Sequence, residues 1–279
     1  MPQLGEHREA SEGWVRGARP SAMIPPRMST SLKTALVTGA GRRIGRAIAM
    51  GLAADGWSVA VHTRAAGAEG AAVAAAVQAA GGRAALVHAD LAIESEVEGL
   101  VARASEQLGG PLTLLVNNAS AFDHDDVLTA TRASWDAHME ANLRAPFVLT
   151  QAFAKQLPEG ARGNIVNLLD QRVWNLTDQF VSYTVSKTAL YTLTQTMALA
   201  LAPRIRVNGI GPGPVLPSKH QTAEQFARQV GNTPLGVAAT LDDIYGAVRF
   251  ILDTPSFTGQ MIALDGGQHL MPFKRDKAE

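Results

Sequence analysis

Residues Lys33–Gly45 read KTALVTGAGRRIG. The apolar run Lys33–Thr38 has the length and composition of a buried strand and ends in glycine. Arg42–Asp55 then carries apolar residues at helical spacing and closes at Gly56. Between strand and helix, Gly39 and Gly41 let the backbone turn sharply and come close to a ligand. A helix starting near Arg42 presents free N–H groups and a positive dipole end, which suit a pyrophosphate. Gly45 lets that helix pack against the sheet. The spacing is Gly-x-Gly-x-x-x-Gly rather than the commoner Gly-x-Gly-x-x-Gly, but strand before and helix after supply the context such a turn requires.

The same alternation continues outward. Strands are expected at Trp57–His62, Arg83–His88, Leu112–Asn117, Asn164–Leu169, Arg204–Gly209 and Gln260–Leu264. Helices are expected at Ala68–Ala80, Glu94–Leu108, about Ser134–Leu157, Gln179–Leu201 and Asp242–Leu252. Short β runs separated by longer helices indicate βαβ units and a parallel sheet covered on both faces. Residues 32–279 form a single α/β domain with no internal repeat, and the irregular stretch Gly211–Thr240 is expected to fold over a ligand.

Charge and composition exclude several functions. The chain of 279 residues has 25 Lys+Arg against 25 Asp+Glu, so nucleic acid and anionic membrane surfaces, which reward a basic excess, are not expected as partners. Hydrophobic residues at 46% and charged ones at 18% support a sizeable core. There is no cysteine, which removes disulfides, thiolate catalysis and cysteine-based zinc sites and suits a reducing cytoplasm. Met1–Ser31 lacks both periodicity and the apolar segment of a secretory signal, so residues 1–31 are expected to be a disordered tail. Met28, just before the first strand, offers an alternative translation start.

The second strand speaks to which dinucleotide is bound. An acid at its end would accept from a ribose 2′-hydroxyl. Here His62, Thr63 and Arg64 stand there instead, and Arg64 with Arg42 is placed to neutralise a 2′-phosphate, which favours NADP(H). Asp90 and Leu91, ending the third strand, are expected beside the adenine ring.

Between Asn117 and Lys187 lies a catalytic signal. Tyr183-Thr184-Val185-Ser186-Lys187 puts a tyrosine and a lysine on one helix face. A nearby ammonium favours the phenolate and is expected to lower the tyrosine pKa, which suits a proton donor near neutrality. Asp123-His124-Asp125-Asp126 reads as a solvated loop opening a helix beside the substrate, and no metal site is expected. Trp174 and Leu176 fit either a pocket wall or core packing.

Together TGAGRRIG (38–45), Asp90-Leu91, NNAS (117–120), Asn142, YTVSK (183–187), IRVNGIGPG (205–213) and LDGG (264–267) resemble the short-chain dehydrogenases/reductases over about Lys33 to Gly267. The resemblance implies a Rossmann-like, doubly wound sheet of seven parallel strands, hydride transfer from a nicotinamide, and a homotetramer. It implies catalytic roles for Asn142, Tyr183 and Lys187, with Lys187 also holding the nicotinamide ribose. Coenzyme contacts are implied at Gly39, Arg42, Arg43 and Ile44, at Asn117, Ala119 and Ser120, and at Pro212-Gly213 beneath the nicotinamide amide.

Two departures narrow the resemblance. Asp170 stands where the family keeps a serine, and Arg43 stands at the middle glycine of its TGxxxGxG pattern. Both are similar to pteridine reductases and related dihydromonapterin/dihydrofolate reductases, as are NNASAF (117–122) and LDGGQHL (264–270). That subgroup implies a pterin stacked on Phe122 and touched by Arg43 and Ser120. The chemistry of Asp170 agrees independently: an ionised carboxylate only accepts hydrogen bonds, so it suits a substrate offering N–H groups or a ring C=N bond. The expected activity is NADPH-dependent reduction of a pterin or dihydrofolate-like substrate, with Tyr183 giving the proton and Asp170 orienting or recharging it. The alternatives are a carbonyl reductase of a 3-oxoacyl thioester or small ketone, and a non-catalytic NADP(H)-sensing module.

Overall fold

Every residue of β1 (Thr34–Val37) is buried, and its side chains alternate between two apolar layers, Leu36 in one and Ala35 and Val37 in the other. A strand covered on both faces is why the sequence shows a continuous apolar run rather than alternation. The computed structural model describes residues 33–218 and 221–272, all inside one unit spanning Leu32–Glu279. The expected tail, 1–31, lies outside the described residues.

The remaining strands are β2 (Ser58–Thr63), β3 (Ala84–His88), β4 (Leu114–Asn117), β5 (Gly163–Leu168), β6 (Ile205–Pro212) and β7 (Met261–Leu264). They pair in the order β3-β2-β1-β4-β5-β6-β7, every pair parallel. On one face pack α1 (Arg43–Ala54), α2 (Ala68–Ala79) and α9 (Leu241–Asp253), through Ile48, Leu52, Val73 and Ile244. On the other pack α4 (Leu100–Leu108), α6 (Ala145–Gln156) and α7 (Val181–Leu201), through Leu100, Leu149 and Met197. The strand order reverses between β1 and β4, which opens a crevice beyond their carboxyl ends, where ligands bind in open α/β sheets.

Three elements differ from the sequence reading. The helix expected over Glu94–Leu108 breaks at Gly99 into α3 (Glu94–Glu98) and α4. The helix expected near Ser134–Leu157 is α5 (Arg132–Met139), a π turn at Glu140–Arg144, and then α6. Pro146, in the first turn of α6, has no N–H to give to the preceding turn, and the backbone there widens. Within the stretch expected to be irregular, β6 runs on to Pro212 and α8 (Ala223–Gly231) forms. No residue of α8 is buried; a capping box starts it, with Thr222 N–H donating to Gln225 Oε1 at 2.8 Å and Gln225 N–H to Thr222 Oγ1 at 3.2 Å.

Candidate active site

The glycine turn is held from below. Thr38 Oγ1 accepts from Asn118 N–H at 2.9 Å and Ala119 N–H at 3.0 Å, and Asn118 Nδ2 donates to Thr38 O at 2.7 Å. Gly39 adopts φ +62°, a left-handed conformation that glycine takes without strain. A Cβ on Gly45 would collide with the Gly39 carbonyl oxygen, so α1 approaches the loop as closely as a glycine allows. The N-terminus of α1 has no side-chain cap and no acid in its first turn, leaving its N–H groups free for an anion.

His62 was expected against the coenzyme, and the structure corrects this. It is 2% exposed, beneath the loop. Gly39 N–H donates to its Nδ1 at 3.1 Å, so Nε2 carries the ring proton and donates to Ala89 O at 3.0 Å. Burial pushes its pKa down to about 4, against a smaller upward pull from the Ala89 hydrogen bond. His62 is a neutral latch between the glycine turn and the end of β3.

Arg43 occupies the position where the family pattern has glycine, and its φ is +52°. A left-handed residue with a side chain costs about 1–2 kcal/mol. In exchange the guanidinium crosses the crevice to donate to Pro217 O at 2.8 Å and Leu216 O at 3.3 Å. Arg42 and Arg64 are exposed. Thr63 packs beneath Gly41 and joins His88 Nδ1 at 2.9 Å.

Two more residues expected at the coenzyme have their side chains turned into the interior. Leu91 is 8% exposed and belongs to the apolar core, because the turn after β3 points it inward, while Asp90 Oδ1 accepts from Ala92 N–H at 3.0 Å. Asn117 is 3% exposed and donates through Nδ2 to Asn167 Oδ1 at 2.8 Å, inside the sheet. Strand alternation turns Asn118 to the crevice instead, a residue the sequence reading passed over.

The crevice is lined by Arg43, Ile44, Asn118, Ser120, Asp170, Tyr183, Lys187, Pro212 and Gly213, among others. The Tyr183 hydroxyl donates to Asp170 Oδ2 at 2.9 Å, while Asp170 Oδ1 accepts from Arg172 N–H at 2.8 Å and caps a short 3-10 turn (Gln171–Val173). Lys187, 2% exposed, donates to Leu168 O at 2.7 Å, with Nζ 5.8 Å from the Tyr183 ring centre. Asn142, wholly buried in the π turn, accepts from Ala121 N–H at 2.7 Å and donates to Ser186 Oγ at 3.1 Å. Ser120 Oγ donates to Asn142 Oδ1 at 3.1 Å.

The expected direction of the Tyr183 pKa is also corrected. Burial raises it well above the ordinary tyrosine value, and the charge and hydrogen bond of Asp170 add to that, opposed only by Arg172. Burial pushes the Lys187 ammonium down to about 8. The phenol is therefore held protonated, its O–H directed at Asp170 Oδ2.

Phe122 meets the edge of Tyr183, with ring centres 4.7 Å apart at 77°. Its face lies flat on Phe180, 4.6 Å away at 3°. Phe180 was not singled out in the sequence; nothing in a lone phenylalanine there marks its φ of +56°. Trp174 and Leu176 fit neither expectation, being 43% and 62% exposed and outside the crevice lining. Asp125, expected in a solvated loop, is 2% exposed because Ser182 draws it inward, and the helix begins only at Arg132. Among the described residues no group of three or more His, Asp or Glu side chains is placed to hold a metal ion, and no helix is long and apolar enough to cross a membrane.

A family model described as short chain dehydrogenase matches residues 33–228. The solved structure of FolM alternative dihydrofolate reductase 1 from Brucella canis, complexed with NADP, is 50% identical; the match covers 88% of this chain and 97% of that one, with a TM-score of 0.83. An uncharacterized oxidoreductase of Methylorubrum extorquens is 37% identical over 84% of this chain and 97% of its own length. The D-erythrulose reductase of Gallus gallus is 33% identical over 88% and 98% respectively.

Proposed function

Since the chain belongs to the short chain dehydrogenase family and is an oxidoreductase of it, we propose that it is an NADPH-dependent reductase of pterin or dihydrofolate-like substrates. The observation that carries this reading is the Tyr183 hydroxyl donating to the Asp170 carboxylate inside the crevice. A ketone needs a donor at that place, whereas a carboxylate only accepts. A dihydropterin offers what a carboxylate can use, N–H groups beside a C=N bond.

The residues present fit a bound NADP(H). The open N-terminus of α1 suits the pyrophosphate, exposed Arg42 and Arg64 suit the 2′-phosphate, and Pro212 and Gly213 suit the nicotinamide amide. When bound, the reduced coenzyme supplies hydride to the ring carbon, C6 of a 7,8-dihydropterin. Tyr183 gives its proton to the adjacent ring nitrogen. Asp170 orients the phenol beforehand and receives substrate N–H, and solvent water returns a proton to Tyr183 afterwards. Lys187 grips ribose and offsets the negative charge left on the phenolate. Asn142 holds the turn that presents Ser120 and Ala121. Phe122 provides a face for the heterocycle, and Arg43 contacts both substrate and coenzyme phosphate. A cytoplasmic homotetramer completes the proposal, and sedimentation velocity of the full chain checks the assembly.

The test is oxidation of NADPH, followed by absorbance, with dihydrobiopterin, dihydrofolate and an acetoacetyl thioester offered separately. Turnover with the first two, inhibited by methotrexate, is expected. Turnover with the thioester alone overturns the reading in favour of a carbonyl reductase. Tight NADPH binding without turnover on any of the three overturns it in favour of a sensor.

A further inference from the structure

Ser182 precedes Tyr183, is wholly buried, and joins two buried groups for which the proposed chemistry has no use, Asp125 and His138. The N–H of Asp123 donates to His138 Nε2 at 3.1 Å. That nitrogen must be the acceptor, so Nδ1 carries the ring proton and donates to Ser182 Oγ at 2.6 Å. Ser182 Oγ in turn donates to Asp125 Oδ2. The other carboxylate oxygen accepts from Ser182 N–H at 3.2 Å, and Ser134 Oγ donates to Oδ2 at 3.3 Å. The protons of this relay therefore run in one direction, from His138 to Asp125.

The relay reaches the substrate side through the backbone. The Asp125 carbonyl accepts from Phe180 N–H at 2.6 Å. Phe180 sits at φ +56°, ψ +46°, a conformation that disfavours a side chain and persists only where its surroundings hold it. That backbone lays the Phe180 ring on Phe122, and Phe122 against Tyr183. The loop bearing Phe122 and the helix bearing Tyr183 meet through this buried carboxylate.

We propose that Asp125 is a positioning residue which, through Ser182 and His138, fixes the Phe122–Phe180 wall and Tyr183 in one frame and so selects flat heterocycles over open-chain carbonyl substrates. This rests on the pterin reading. The test compares wild type, Asp125→Asn and Phe180→Leu as full chains. For both variants the expected result is a KM for dihydrobiopterin raised about tenfold, with NADPH affinity within twofold of wild type and turnover of an open-chain ketone not reduced. Unchanged KM, or equal losses for pterin, ketone and NADPH binding, overturns the proposal. A wild type that reduces no dihydropterin defeats the pterin reading instead, so the two failures separate. Should Asp125→Asn not fold, Phe180→Leu carries the kinetic arm, and nitrogen-15 NMR of wild type carries the relay. His138 is expected as the neutral Nδ1–H tautomer at neutral pH; the Nε2–H form or an imidazolium overturns the relay.

Discussion

Acidification should loosen the glycine turn through His62. Its pKa is 6.5 when unfolded and about 4 in the buried latch. The unfolded chain therefore takes up this proton first as the pH falls. The latch contributes its full stability above about pH 6.5, loses it as the pH drops towards 4, and changes no further below that. Each pH unit crossed between those two values is worth about 1.36 kcal/mol, so acidifying from about pH 7.5 to about pH 4.5 removes about 2.5 kcal/mol. Protonation also takes away the Nδ1 lone pair that receives the Gly39 N–H, so in the folded protein NADPH affinity is expected to fall only as the pH approaches and passes about 4. The assay is urea denaturation of the coenzyme-free protein at both pH values, for wild type and His62→Gln. The other titrating groups, His138 among them, are common to both proteins and cancel in the difference. Wild type should lose about 2.5 kcal/mol more than the variant on acidification. Parallel losses would refute the neutral, buried latch.

Replacing Asp170 with serine should cut dihydropterin turnover about a hundredfold and lower the Tyr183 pKa, since the carboxylate now raises it; a tyrosinate absorbance titration checks the second effect, and unchanged turnover refutes the role. Lys187, pushed down to about 8 by burial, loses its ammonium as the pH rises through that value. The kcat/KM profile of the enzyme should therefore fall above about pH 8, and a profile flat to about pH 10 contradicts a need for the charged form. Gly45→Ala forces a methyl onto the Gly39 carbonyl. It should cost about 1–3 kcal/mol in denaturant melts and weaken NADPH binding at least tenfold, as isothermal titration would show.

What the sequence made legible is what depends on neighbours along the chain. The strand–glycine–helix unit at Lys33–Gly45 and the Tyr183–Lys187 spacing are local patterns. What it hid depends on contacts across the fold. The carboxylate that raises the Tyr183 pKa comes from a residue at the end of β5, so a rule about the lysine one helical turn away gave the wrong direction. Four adjacent polar residues at 123–126 look solvated until Ser182 draws one of them inward. Asn117 and Asn118 are alike as letters, and only strand alternation decides which faces the crevice. The Thr222–Gln225 capping box and the amphipathic spacing behind it were in plain sight, but α8 is short, polar on average and buries no residue, so it reads as part of an irregular stretch.

The widened turn at Glu140–Arg144 sits midway along an otherwise continuous rod from Arg132 to Gln156. Deleting one residue from it would let ordinary α-helical bonding run through. It would also spin the upstream half by about 100° against the downstream half, swinging His138 away from Ser182. The tidier helix would be the disarmed one, so the kink acts as a phase setting that keeps two halves of one segment aimed at different neighbours.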